Sequence, residues 1–151
     1  MNLTPNFTQA EMERSSTAIR KGLDNICPDN LLPNMQKVAD HLEVIRTHFN
    51  APLRVLSCYR SPEVNKAVGG SKTSAHRFAM AADCTVDGVS VHDLCKWCAD
   101  NIDDYDQIIF EFPERPDCWM HIGLTNGKPR KQLLTASKQN GKTVYQSGLV
   151  L

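Results

Sequence analysis

The chain has 151 residues, of which 41% are hydrophobic and 23% are charged. These proportions are ordinary for a globular protein and argue against a disordered chain. The chain has 17 basic residues (Lys and Arg) and 17 acidic residues (Asp and Glu), so its net charge is zero. A chain without net positive charge has no general electrostatic attraction for nucleic acid or an anionic membrane. We therefore expect no nucleic-acid partner.

The segment from Met1 to Ala10 contains no basic cluster followed by an apolar run, and no stretch approaches the ~20 apolar residues of a membrane span. We expect synthesis in the cytoplasm without a signal peptide, and no membrane insertion. No repeat, low-complexity tract or flexible linker divides the sequence. Residues 1–151 are interpreted as one domain, and we expect a monomer.

Three helices are predicted. Thr8 and Glu11 form a capping box that starts a short helix between residues 7 and 24. A long helix begins at Pro33 and shows apolar residues at three- and four-residue steps. Ser90 caps a third helix that runs to about Ile102.

Short segments rich in β-forming residues predict strands at 52–59, 81–86, 107–112 and 118–124. The last two flank the turn 113–117 and are interpreted as a hairpin. The tail from Asn126 reads as loop with a weak hairpin around Asn140 and Gly141. The predicted fold class is α+β, with helices packed on one face of a small antiparallel sheet.

The hairpin register places a carboxylate near a histidine. If Phe112 pairs with Cys118, Glu111 faces Trp119 and Ile109 faces His121. Glu111 then lies diagonally across from His121 on the same face, whereas a slip by one residue would turn it to the other face.

A catalytic zinc needs about three protein ligands and one open position. His76, Asp83 and His121 have suitable chemistry, and such a set would also accept cobalt or manganese. Spacing alone is a weak signal, because a single His or Asp is more often a surface or capping residue.

The surrounding residues add a family resemblance. Residues 74–83 resemble the Ser-x-His-x-x-Gly-x-Ala-x-Asp motif of zinc D-alanyl-D-alanine peptidases, the M15 type, which includes phage endolysins and the hedgehog fold. Residues 119–122 are similar to its Trp-x-His segment, and residues 59–65 with 69–71 resemble the stretch before the first motif. The similarity spans about residues 7–124.

The resemblance implies that His76, Asp83 and His121 bind one Zn²⁺, that Arg60 stabilises the substrate or the oxyanion, and that Ser74 helps to position the site. One departure is Ala79, which stands where the motif has glycine. Its methyl group restricts positive backbone φ angles.

Glu111 is the candidate general base, which would accept a proton from the metal-activated water and pass it to the leaving amine. Asp117 and Glu114 are the alternatives, but both lie in the turn, where a solvated carboxylate is the ordinary expectation.

The predicted function is hydrolysis of amide bonds in peptidoglycan stem peptides, by an endopeptidase or a D-Ala-D-Ala carboxypeptidase. We expect a phage lysis enzyme that acts on the cell wall after it is released from the host cytoplasm. The alternative is a module of a phage tail or assembly protein that keeps the metal but has lost catalysis. An enzyme needs Glu111 for activity, whereas a binding module does not.

The other metal-binding residue types have structural interpretations. The six cysteines are expected to be reduced and mostly buried. Cys95 and Cys98 form a Cys-x-x-Cys pair, but their position in a helix favours core packing over a redox or metal site. His41, His48 and His92 are not assigned to zinc.

Overall fold

The computed structural model describes residues 1–150. Its helices are α1 (Gln9–Glu13), α2 (Ser16–Lys21), α3 (Leu32–Phe49), α4 (Pro62–Ala67) and α5 (Val91–Asn101), with 3-10 turns at Asp29–Leu31 and Ala75–Phe78. Its strands are β1 (Asn2–Thr4), β2 (Phe7–Thr8), β3 (Leu53–Ser57), β4 (Ala81–Val86), β5 (Gln107–Glu111), β6 (Trp119–Gly123), β7 (Gln132–Gln139) and β8 (Lys142–Ser147). The α+β class is confirmed.

Local sequence signals set the helix boundaries. Both hydrogen bonds of the Thr8 and Glu11 capping box are present at the start of α1. The predicted segment 7–24 holds two short helices instead of one, because Ser15 caps α2 anew. Ser90 accepts a hydrogen bond from the amide of Asp93 and starts α5 as predicted.

The main sheet has six strands in the order β3-β4-β6-β5-β7-β8, and β1 and β2 form a separate small antiparallel pair. Strands β5 and β6 pair with Glu111 opposite Trp119 and Ile109 opposite His121, so the predicted hairpin register is confirmed. The turn is longer than predicted, because the pairing of β5 with β6 stops at Glu111 and Trp119 and leaves residues 112–118 between the strands.

The expectation of an antiparallel sheet is wrong, because β7 runs parallel to β5. Strand β6 ends beside the start of β5, where Gly123 pairs with Gln107. The following segment returns past that end of the sheet, and the amide of Gln132 donates to the carbonyl of Asp106 at 3.0 Å. The chain therefore enters the far edge of β5 in the same direction as β5 itself, and the sheet is mixed.

The central strands present one apolar face and one polar face. Their apolar face joins α3 and α5 in a continuous core, which includes Cys84, Ile108, Phe110, Met120, Ile122, Met35, Leu42, Ile45, Leu94 and Cys98. The alternate residues of β4, β5 and β6 point to the other face, among them Asp83, Glu111 and His121. No helix within residues 1–150 has the length and apolarity needed to cross a membrane.

Candidate metal centre and cleft

Three side chains with metal-binding groups converge on the polar face of the sheet. Asp83 on β4 pairs directly with His121 on β6, and His76 approaches from the 3-10 turn before β4. Asp83 Oδ1 lies 3.0 Å from His121 Nδ1 and 3.3 Å from His76 Nε2. The three possible ligand atoms all lie within 4.8 Å of one another.

The two distances from Asp83 are compatible with a shared zinc ion. Tetrahedral ligands at ~2.0–2.2 Å from zinc are ~3.3–3.5 Å apart, which is close to the two observed distances. Two imidazoles and one carboxylate leave a fourth position open, as catalytic zinc sites do.

The fold fixes the tautomer of His76. This ring is 2% exposed, and its Nδ1 lies 2.7 Å from the carbonyl oxygen of Cys58. A carbonyl can only accept, so Nδ1 carries a proton, and Nε2 is the ring nitrogen that faces Asp83 and can bind a metal once it carries no proton. Such an outer hydrogen bond is typical of metal-binding histidines. Ser74 supports the turn, because its Oγ accepts from the amide of His76 at 3.3 Å.

Asp83 is held in its charged form. Burial alone would raise its pKa, but the attraction of His76 and the hydrogen bonds of His121 and His76 outweigh burial and lower the pKa well below its usual range. A carboxylate, and not a carboxylic acid, therefore faces the two rings, which is the form that binds a cation.

Ala79 does not displace the ligands. It adopts φ 55° and ψ 36°, the left-handed conformation that the motif glycine would take easily, and it ends the turn that carries His76. Its amide donates to the carbonyl of His76 at 3.2 Å, and that of Met80 donates to Ala75 at 3.0 Å. The local geometry persists at an expected conformational cost of about 1–2 kcal/mol.

The three residues lie in a cleft of ≈ 470 Å³, and Glu111 lines the same cleft. Burial and the negative charge of Asp83 raise the pKa of Glu111, while His121, a hydrogen bond and Arg60 oppose that shift. The hydrogen bond is donated by Trp119 Nε1 to Glu111 Oε2 at 3.0 Å. A carboxylate with a raised pKa and one fixed oxygen suits proton transfer near neutral pH.

Arg60 brings a positive charge into the cleft. Among residues 1–150 its guanidinium forms no ion pair, and its Nε is buried without a hydrogen-bond partner. Burial lowers its pKa, whereas the charges of Asp83 and Glu111 raise it. A cation without a carboxylate partner in a cleft can bind an anionic group of a ligand.

The N-terminal segment holds the backbone on both sides of Arg60. Asn25 is 8% exposed, donates to the carbonyl of Tyr59 at 3.0 Å and accepts from the amide of Ser61 at 2.7 Å. The amide of Arg60 itself donates to the carbonyl of His76 at 3.0 Å. The loop of the arginine and the turn of the histidine are thus directly linked.

Neither alternative to Glu111 lies in the cleft. Asp117 forms an exposed ion pair with Arg115 at 2.7 Å, and Glu114 is exposed in the same turn. Their positions agree with the expectation of solvated carboxylates.

The remaining histidines and the cysteines lie elsewhere. His41 Nε2 is 2.8 Å from Asp104, and His48 stacks on Trp97 with the ring centroids 4.1 Å apart. All six cysteines are free, as expected, and five are buried. Cys95 and Cys98 are 0% exposed in α5, and burial raises the pKa of both thiols, so core packing is confirmed.

Sequence reasoning missed several residues that line the cleft. Gln107, Arg130 and Tyr145 are among them, and Arg130 forms an ion pair with Asp106 at 2.8 Å. Arg130 and Tyr145 reach the cleft because β7 pairs with β5 in parallel. No local pattern in the sequence predicts that pairing. Gln107 follows directly from the hairpin register, since it lies on the same face as Ile109 and Glu111.

A comparison with family models finds one that is described as Peptidase M15 and that matches residues 5–116. The matched range contains Arg60, His76, Asp83 and Glu111 and ends before His121. The strand pairing of Asp83 with His121 joins that last residue to the others. No curated protein matches the chain.

Proposed function

The chain belongs to the peptidase M15 family, as the motifs at residues 59–65 and 74–83 predict, and we propose that it is a zinc-dependent enzyme acting on the stem peptides of peptidoglycan. The observation that carries this proposal is the convergence of His76, Asp83 and His121 in the cleft that Glu111 and Arg60 also line. The choice of wall peptide as substrate is supported by the resemblance of the motifs to D-alanyl-D-alanine peptidases.

In this proposal His76 Nε2, Asp83 and His121 Nδ1 hold the metal. Bound zinc would supply Lewis acidity, which polarises the scissile carbonyl and lowers the pKa of a water molecule toward ~7. The chain itself contributes two rigid strands and one braced turn, which fix the three ligands before the substrate arrives.

Glu111 is the proton carrier. It accepts a proton from the attacking water as the C–O bond forms, and donates that proton to the amide nitrogen as the C–N bond breaks. Trp119 holds one carboxylate oxygen, so the other is the one available for transfer. Arg60 stabilises the negative charge that develops on the carbonyl oxygen, or the carboxylate at the end of the substrate.

The biological setting is a further part of the proposal. A chain made in the host cytoplasm would act on the cell wall after release during phage lysis, as a monomer. An endopeptidase and a D-Ala-D-Ala carboxypeptidase are both compatible with one polar cleft.

The decisive experiment measures zinc content and hydrolysis together. Protein purified without chelator is analysed for bound zinc and incubated with purified peptidoglycan and with a synthetic stem pentapeptide. We expect about one zinc per chain in the native protein, loss of zinc in His76→Ala, and no loss in the control His41→Ala, whose ring pairs with Asp104. Glu111→Gln should keep zinc and lose hydrolysis.

Two results would contradict the proposal. A native chain that binds no zinc when zinc is added would refute the metal centre. A zinc-loaded chain that cleaves neither substrate would favour a module that binds metal without catalysis.

A further inference from the structure

The β7–β8 hairpin carries a side chain to the cleft from outside the family match. The match ends at residue 116, whereas Tyr145 on β8 lines the cleft together with Glu111 and the three candidate metal ligands. The register of the sheet explains how a residue so distant in sequence reaches this position.

Four residues form one row across the sheet. Trp119 pairs with Glu111, Glu111 pairs with Ala136, and Ala136 pairs with Tyr145. Residues paired in this way point to the same face, so Tyr145 shares the face of Glu111. Two strand spacings, ~10 Å in total, separate their backbones.

The residue between them is small. Ala136 is 0% exposed, although its methyl group covers little of the sheet by itself. No large side chain of β7 therefore stands between Glu111 and Tyr145 in this row. In agreement, partial burial and the charge of Glu111 raise the pKa of the Tyr145 phenol. The residue is still 55% exposed, so it is accessible to a ligand.

The proton transfer defines which part of the substrate meets this row. Glu111 must lie beside the leaving amine to protonate it, so the peptide segment that departs lies on the Glu111 side of the cleft. Tyr145 is the aromatic residue on that side whose ring is open to solvent. An exposed aromatic ring gives a large contact area at a small cost in side-chain entropy.

We propose that Tyr145 is a substrate-binding residue that contacts the leaving-amine side of the peptide and contributes to specificity there. This inference rests on the proposed function, because it needs a peptide substrate and the role of Glu111. It assigns the contact to the ring, with the hydroxyl group making a smaller contribution.

The test compares Tyr145→Ala and Tyr145→Phe with the native enzyme on zinc-loaded full-length protein. Val144→Ala is the matched control, because Val144 is the neighbouring residue on β8, points to the opposite face and is 37% exposed. Steady-state kinetics are measured with synthetic stem peptides that differ only in the residue on the leaving side. Zinc content and melting temperature are recorded for each variant.

We expect the KM of Tyr145→Ala to rise about tenfold, equivalent to about 1.4 kcal/mol, with kcat and zinc content nearly unchanged. Tyr145→Phe should stay within about threefold of the native KM, and discrimination between leaving-side residues should weaken in Tyr145→Ala. An alanine variant within twofold of native, a loss confined to kcat, or an equal loss in Val144→Ala would overturn the inference while leaving the enzyme active. A native protein that cleaves nothing refutes the proposed function, and the inference falls with it.

Discussion

Replacement of Gly70 by alanine is expected to destabilise the protein and to displace Arg60. A Cβ atom at position 70 would overlap the side-chain oxygen of Asn65, and it would lie 2.8 Å from the Asn65 Cγ and 3.2 Å from Arg60 Nη1. Asn65 is 2% exposed and has little room to yield. The side-chain Nδ2 of Asn65 donates to the carbonyl of Ser71 at 2.8 Å. The backbone carbonyl of Asn65 accepts from the amide of Gly70, also at 2.8 Å.

The size of the effect follows from this packing. Gly70 does not have a positive φ angle, so alanine adds no backbone strain and the cost is steric. Overpacking of a buried site costs about 1–3 kcal/mol, and we expect about 2 kcal/mol here. For a chain of this length that lowers the melting temperature by roughly 4–8 °C. Because small displacements of an oxyanion-binding group are costly, kcat/KM should fall about ten- to a hundredfold.

The neighbouring glycine provides the control. Gly69 has φ 77°, and a Cβ there would meet nothing within 4 Å. Gly69→Ala should therefore cost about 1–2 kcal/mol of stability through backbone strain alone, and leave kcat/KM of the folded enzyme close to native. Adding Asn65→Ala to Gly70→Ala removes the overlapping atoms, so the double variant should be less destabilised than the sum of the two single changes.

The assays are denaturant unfolding of the zinc-loaded protein and hydrolysis of the stem pentapeptide well below both melting temperatures. Native stability and activity in Gly70→Ala would refute the described packing of this loop. Equal losses of activity in Gly69→Ala and Gly70→Ala would show that the loop acts as a whole, and not through contact with Arg60.

Three further changes probe the site. Trp119→Phe removes the hydrogen bond that lowers the pKa of Glu111, so the acid limb of the kcat/KM pH profile should move to higher pH. An acid limb at the same pH or at a lower pH would contradict the role of Glu111 as base. In metal-free protein the raised pKa of Glu111 means that its charged form destabilises the fold. Glu111→Gln should therefore raise the melting temperature at pH 8, with the gain vanishing below the ordinary glutamate pKa of ~4.3, and a variant less stable than native at pH 8 would oppose this account. Ala79→Gly should change the free energy of unfolding by less than about 1 kcal/mol, since relief of strain (~1–2 kcal/mol) is offset by a lost buried methyl group (~0.8 kcal/mol) and a more flexible unfolded chain (~0.4–1 kcal/mol). Urea unfolding measures this change, and a loss above 2 kcal/mol would show that the methyl group is essential to packing.

Much of the site could be predicted because its signals are local. His76 and Asp83 belong to one short motif, and the capping box of Thr8 and Glu11 appears in the structure as predicted. The register that sets Glu111 beside Trp119 follows from the alternation of two strands joined by a turn. These patterns extend over few residues, so the amino-acid order alone determines them.

The remaining features depend on contacts between distant segments. Because β7 pairs with β5 in parallel, Tyr145 lies in the same row as Glu111. The sequence of neither strand predicts which strand it pairs with. Asn25 supports the loop of Arg60 across 34 and 36 residues of sequence, at the Tyr59 carbonyl and the Ser61 amide. Strand periodicity determines which side chains share a face of the sheet. Which strand pairs with a given sheet edge depends on the packing of the whole chain, so only the tertiary structure decides it.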